Sequence, residues 1–291
     1  MKNMTINCPN SKGEIAMKYI RLLSGFFLFI FIAGYAEAGN FGVGVHSGFG
    51  VIKYEEDTTL LAEQYQSDTK LTTVLLGVSG EYTFQRFENL FAGITTDWAL
   101  GLKDEEQWNK NKIKFQTNDV RIFAQFYDGR LGYKNNIDKF NYRLYGSFGW
   151  DGVHFRRTNF VDVNGVLTES TIAETFGLWR VGSGLSMGYR IGNLLLDGRA
   201  AYSYYFDGEV RSSNNDGIWF DTNGTCLDLG LGVIFEVAED FNFYLGGSYT
   251  RIELDESEVK NGLQTGRPFA TKFPNSQMQM IAGVVNLTYS F

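Results

Sequence analysis

From Gly39 to the C-terminus the chain alternates apolar residues with small or polar ones, in segments of about a dozen residues. In the last segment Ile281, Gly283, Val285, Leu287, Tyr289 and Phe291 share one face, and Ala282, Asn286, Thr288 and Ser290 share the other. A period of two is that of a strand with a different environment on each side. It repeats without an intervening helical period and predicts ten strands, at roughly 40–54, 71–84, 90–102, 118–133, 139–153, 177–190, 194–207, 225–237, 241–254 and 277–291. The connections alternate in length. QRFEN, KNNID, RIGN and AED are short, whereas those around 55–70, 103–117, 154–176, 208–224 and 255–276 are long.

An even strand count, short turns on one rim and long loops on the other predict an all-β fold, a ten-stranded antiparallel transmembrane β-barrel of the bacterial outer membrane. A closed barrel leaves no backbone group unpaired in lipid. The expected lipid face carries Val74, Leu76, Val78, Tyr82 and Phe84, then Tyr202, Tyr204 and Phe206, then Leu227, Leu229, Leu231, Val233 and Phe235. The expected inward face carries glycines and Glu81, Asp97, Arg121, Arg143, Arg180, Asp197, Arg199, Asp228 and Glu236. Ten strands make too narrow a barrel for an open channel, so a paired charge network built on Glu81, Arg143, Asp197, Arg199 and Glu236 should fill it. Along strand four, Val120, Ile122, Ala124 and Phe126 take one parity and Leu131 and Tyr133 the other, which predicts a β-bulge at Asp128-Gly129.

Composition supports strands. Aromatics reach 16%, with 34 Gly and only 3 Pro, the usage of crowded strands and bends. At the N-terminus, Lys18 and Arg21 precede the apolar run LLSGFFLFIFIA, and Ala36-Glu37-Ala38 offers a small-x-small cleavage site. Residues 1–38 are therefore expected to be a leader with a secretory signal peptide starting at Met17, and 39–291 a single barrel domain. The leader carries Lys2, Lys12, Lys18 and Arg21 against Glu14 and Glu37, so its removal takes the net charge from −7 to −9. Such a balance argues against nucleic acid as a partner. Cys8 leaves with the leader and Cys226 stays alone, so no disulfide is expected, nor with two His is a metal or other cofactor.

RLYGSFGW (Arg143 to Trp150), GLSMGYR (Gly184 to Arg190), SSNNDGIW (Ser212 to Trp219) and the terminal AGVVNLTYSF resemble stretches of the omptins, outer-membrane proteases of Gram-negative bacteria. The resemblance implies an omptin-like barrel with long loops at the cell surface, termini in the periplasm and a lipopolysaccharide requirement. It also implies a peptidase cleft in which two aspartates face an Asp-x-His dyad, the His acting as general base on a water. Carried over through Trp108, Glu105 and Gln107 stand where the two aspartates would be. Asp216 keeps the dyad's acid, Ile218 replaces its His, Asn214 replaces a specificity acid, and Ile52 another. An Ile accepts no proton, so the base is missing. His46 faces the lumen too deep to replace it; His154, at the outer end of strand five, is the alternative base.

The expected function is thus a non-proteolytic omptin-like barrel with a surface-binding or structural role. The alternative is an endopeptidase with altered catalytic residues Asp216, Glu105 and His154. A lipid-modifying hydrolase using His154 and Ser170, and a narrow solute pore, remain open. Expected partners are outer-membrane lipid, lipopolysaccharide through Arg156, Arg157 and Arg180, and the barrel-assembly machinery through Phe291; the barrel is expected to be a monomer.

Overall fold

A computed structural model describes residues 40–291 apart from 61, 88, 214–217 and 265–266. The leader and its cleavage site, Asp216 and Asn214 lie outside the described residues. Ten strands close into an antiparallel barrel: β1 (Asn40–Leu60), β2 (Glu63–Thr83), β3 (Leu90–Lys110), β4 (Ile113–Ile137), β5 (Phe140–Asp162), β6 (Leu167–Ile191), β7 (Leu194–Ser212), β8 (Trp219–Ala238), β9 (Phe241–Leu254) and β12 (Asn275–Ser290). Each strand pairs with its neighbour in sequence, and β1 closes on β12 from Gly42↔Ser290 to Asp57↔Asn275. A separate small hairpin, β10 (Lys260–Gln264) and β11 (Arg267–Thr271), sits in the last long connection.

Asn40, the first described residue, Phe291 and the four short turns lie at one end, the lower. There the Phe291 amide donates to the Phe41 carbonyl at 2.8 Å. At the upper end the expected long loops are mostly strand. β1 and β2 stay in register to Leu60↔Glu63, and β3 and β4 to Lys110↔Ile113. Polar stretches such as KDEEQWNK have no apolar face to reveal a strand, yet their backbone ladder continues past the lipid.

Where the lipid ends can be read from the outward faces. On β1 Val43, Val45, Phe49 and Val51 give way to Lys53, Glu55 and Asp57; on β5 Leu144 and Phe148 give way to His154 and Arg156. The interior changes at the same height, in the opposite sense. Below, it is glycine and charge; above, Ile52, Leu71, Val120, Ile122, Val153, Phe155, Phe176, Leu178, Phe220 and Ile252 form a buried apolar core.

That change corrects the predicted bulge. Asp128 and Gly129 stay in register with Thr95 and Ile94 on one side and Gly149 and Phe148 on the other. Apolar residues switch parity along β4 because the apolar side itself switches: Val120 and Ile122 fill the upper interior, while Leu131 and Tyr133 face outward lower down. Arg121 is likewise corrected, being exposed on the outer wall. The real register shifts fall elsewhere, including Gly101/Asp104 on β3, Thr158/Phe160 on β5 and Tyr205/Gly208 on β7. The last two enclose Asn159 (φ 56°) and Asp207 (φ 50°), residue types that tolerate the left-handed region a bulge uses.

In the lower lumen Glu81 accepts from Lys134 at 2.7 Å and from Arg143 at 2.6 Å. Glu236 pairs with Arg190 at 2.5 Å, and His46 pairs with Asp97. Asp197 and Arg199 lie on the inward parity of β7, with Arg143 and Arg199 the cations acting on Asp197. Midway up, Arg180 sits among Asp128 (3.3 Å), Asp151 (3.3 Å) and Asp228 (3.8 Å), with Tyr205 donating to Asp151 at 2.5 Å.

Candidate functional site at the upper end

The bulge after Gly101 decides which acid of the KDEEQW run enters the barrel. β3 advances three residues, Gly101 to Asp104, while β4 retreats two, Ile122 to Val120. Parity flips, so Glu105 faces outward and is exposed, while Glu106 faces inward and is fully buried. Ile52, Tyr54 and Glu56 continue the inward parity of β1, Phe155 and Arg157 that of β5, and Glu174 and Phe176 that of β6.

These strands bring three glutamates onto one arginine. Arg157, 2% exposed, donates from Nε and Nη2 to the two Glu106 oxygens at 2.6 and 3.0 Å, a bidentate pair. Its Nη2 also donates to Glu56 at 2.9 Å, and its Nη1 to Glu174. Asn118 donates to Glu106 at 2.9 Å and accepts from the Trp108 indole at 2.8 Å, and the Tyr54 hydroxyl donates to Glu56 at 2.7 Å. The guanidinium lies over the rings of Trp108 and Phe155, each 5.4 Å away. The arginine fork suits this planar, multi-acceptor role, which a lysine could not fill.

Three carboxylates against one guanidinium cannot all be neutralised. Burial pushes the Glu56 carboxyl up to about 7; Arg157 opposes that rise, and Glu174 and Glu106 add to it. Burial opposes the charge on Arg157 as well, yet Glu174, Glu56 and Glu106 together raise its pKa. Burial first, and then Glu56, raise the Tyr54 phenol.

The residues singled out from sequence are placed apart. His154 sits on the outer face of β5, its Nδ1 3.0 Å from Thr175 Oγ1. Glu105 pairs with Asp119 and His154 with Phe123 on the intervening β4, which puts the two roughly 16 Å apart by strand geometry. Ser170 is five residues along β6 from Thr175, roughly 17 Å from His154 on the same reckoning. Gln107, like Glu105, lies off the inward face; its amide donates to Asn109 at 3.0 Å. Ile218 is partly buried and packs on the apolar core. Arg157 and Arg180 are inside the barrel and cannot reach lipid, a correction to their expected role; Arg156 alone of the three is exposed on the wall.

The upper mouth is filled. Phe273, 4% exposed, drops from the last connection onto Phe176 with ring centroids 5.3 Å apart. Its amide donates to Ser257 Oγ at 2.8 Å, and its carbonyl accepts from the Ser257 amide at 3.0 Å. Among the described residues, a void of about 10 Å³ lies between Tyr54, Phe155, Phe176, Ile252 and Met278, room for one water. On the outer wall, just above the apolar belt, Lys103, Arg121 and Arg156 line a cleft of about 210 Å³ with Asp119, Thr158 and Asn159.

Among solved structures, the outer membrane protease OmpT from Escherichia coli matches with a TM-score of 0.67 over 87% of this chain and 97% of its own, at 12% identity. The translocator domain of the autotransporter NalP from Neisseria meningitidis matches at a TM-score of 0.37 and 12% identity, over 99% of this chain and 100% of that one. Ail, the attachment invasion locus protein of Yersinia pestis, matches at 0.31 and 13% identity, over 87% and 99%. No family model matches the chain, and no curated protein matches its sequence. The fold is therefore that of an outer-membrane β-barrel, and in strand number and layout it is omptin-like. At 12% identity the likeness to OmpT carries the fold and no activity.

Proposed function

We propose that this chain is a non-proteolytic omptin-like barrel with a surface-binding or structural role, its long hairpins facing the medium and its termini the periplasm. One observation carries the reading: Ile218, which the resemblance sets at the position of the dyad's base, packs on an apolar core that fills this end of the barrel among the described residues. General-base hydrolysis needs a proton acceptor beside the substrate carbonyl, and an isoleucine side chain is none.

What the surface holds is an anionic lipid headgroup, of the kind lipopolysaccharide carries. Arg121, Arg156 and Lys103, the last paired with Asp119 at 2.7 Å, line one cleft just above the apolar belt, and arginine suits phosphate oxygens. Phe291, 71% exposed beside Tyr289, is available to an assembly machinery. A closed barrel has no free strand edge and can work as a monomer.

The test is a cleavage assay. The refolded barrel, supplied with lipopolysaccharide, is incubated with a mixed peptide library beside an Asp216→Ala variant, and the products are read by mass spectrometry. No products from a folded barrel are expected. Sequence-selective products that vanish in the variant would overturn the reading in favour of an endopeptidase with altered residues.

A further inference from the structure

The glutamate–arginine cluster has no part in that reading, yet its charge balance and its mechanical connections are specific. Glu56, Glu106 and Glu174 surround Arg157, drawn from β1, β3, β6 and β5, so the cluster ties four strands across the mouth. Glu106 already takes a bidentate pair and an Asn118 amide, leaving Glu56 and Glu174 to share the rest of one guanidinium. A third negative charge in so buried a place is costly unless a proton removes it.

Two residues further up β1, Thr58 donates to the Glu256 carboxylate at 2.7 Å. Lys272 grips the same oxygen at 2.6 Å, next to Phe273, the residue that fills the mouth. The strand that carries Glu56 is thus fastened to the strap that closes the core.

We propose that this cluster is a proton-operated latch: with a proton on Glu56 it holds β1 and the Phe273 strap closed, and when that proton leaves, the upper mouth loosens. The groups that act on Glu56 are Tyr54 on its own strand, Glu106 on β3, Arg157 on β5 and Glu174 on β6; Glu256 and Lys272 act on the strap through Thr58. Ser67 of β2 and Ser276 of β12, its partners in register, bring no charge.

The sign follows from proton counting. The folded state keeps a proton that the unfolded chain has lost between roughly pH 4.5 and 7, so the closed state is favoured at the acid end. That advantage is lost as the pH rises through about 7.

Amide hydrogen exchange on the refolded barrel in lipid vesicles reads the latch directly, as protection factors at pH 5.5, 7 and 8.5. Protection at residues 54–58 and 104–108 is expected to fall ~10-fold or more across that range, with residues 43–49 unchanged. Glu56→Gln should hold protection constant within about twofold, because the group that titrates is gone. Glu174→Gln should move the wild-type midpoint to lower pH, since Glu174 helps to raise the Glu56 carboxyl. A wild-type profile flat in pH, or a Glu56→Gln profile as steep as wild type, overturns the latch. Should Glu56→Gln fail to fold, an unshifted midpoint in Glu174→Gln overturns it instead.

Discussion

Within the lipid belt this barrel is apolar outside and polar inside; above the belt it is the reverse. Leu231 and Ile113 illustrate the difference, each 72% exposed, one in mid-belt on β8 and the other at the tip of the β3–β4 hairpin. The first faces hydrocarbon and the second faces water. The lower interior is held by ion pairs such as Glu81 with Arg143, the upper by close packing of Phe155, Phe176 and Ile252. The upper part is in effect a small water-soluble β-core built on the extended strands of a membrane barrel. Among the described residues, the space at that height is occupied by apolar side chains.

The largest effect should come from the place where three carboxylates and a guanidinium enter the apolar part. Arg157→Met leaves buried carboxylates unpaired and should destabilise the barrel by ~3–5 kcal/mol, measured by equilibrium unfolding in urea with lipid vesicles. Phe176→Ala, which empties the core beneath Phe273, should cost about 3–5 kcal/mol in the same assay. A value near zero would mean that the upper interior is loosely filled and the contrast between the halves is overdrawn. The matched pair comes next. Leu231→Arg should cost about 2–4 kcal/mol because a cation meets hydrocarbon. Ile113→Arg should stay within about 0.5 kcal/mol, because the tip is already in water. Equal costs at the two sites would erase the boundary placed between them. Smallest of all, on the proposed non-proteolytic reading Ile218→His should confer no peptide cleavage; any specific cleavage would argue for an accessible site.

The ten strands were legible because alternation survives wherever one face meets lipid. Strand ends were not, since above the belt a strand such as KDEEQWNK meets water outside and its polar residues look like a loop. Position within the site was lost to single-residue events. One extra residue in β3 turned Glu106 inward and Glu105 outward, and sequence spacing carries no mark of it. The supposed bulge at Asp128-Gly129 was the opposite error, a change of environment mistaken for a change of register. Glu56 could have been found: it continues the parity of Ile52 and Tyr54, and a glutamate in that series signals a buried partner. Arg157 and Glu174 meet only through long-range pairing, which one chain's periodicity does not specify.

The closed upper core has a native reporter in Cys226, a free thiol 2% exposed in that core. The direct measurement is its rate of reaction with a water-soluble maleimide, in the folded barrel and in the urea-unfolded chain from residue 39. The closed core predicts protection of ~100-fold or more in the folded state, since reaction must wait for opening. Comparable rates in the two states would mean that water stands in the upper barrel, and that a cleft exists where this account places a core.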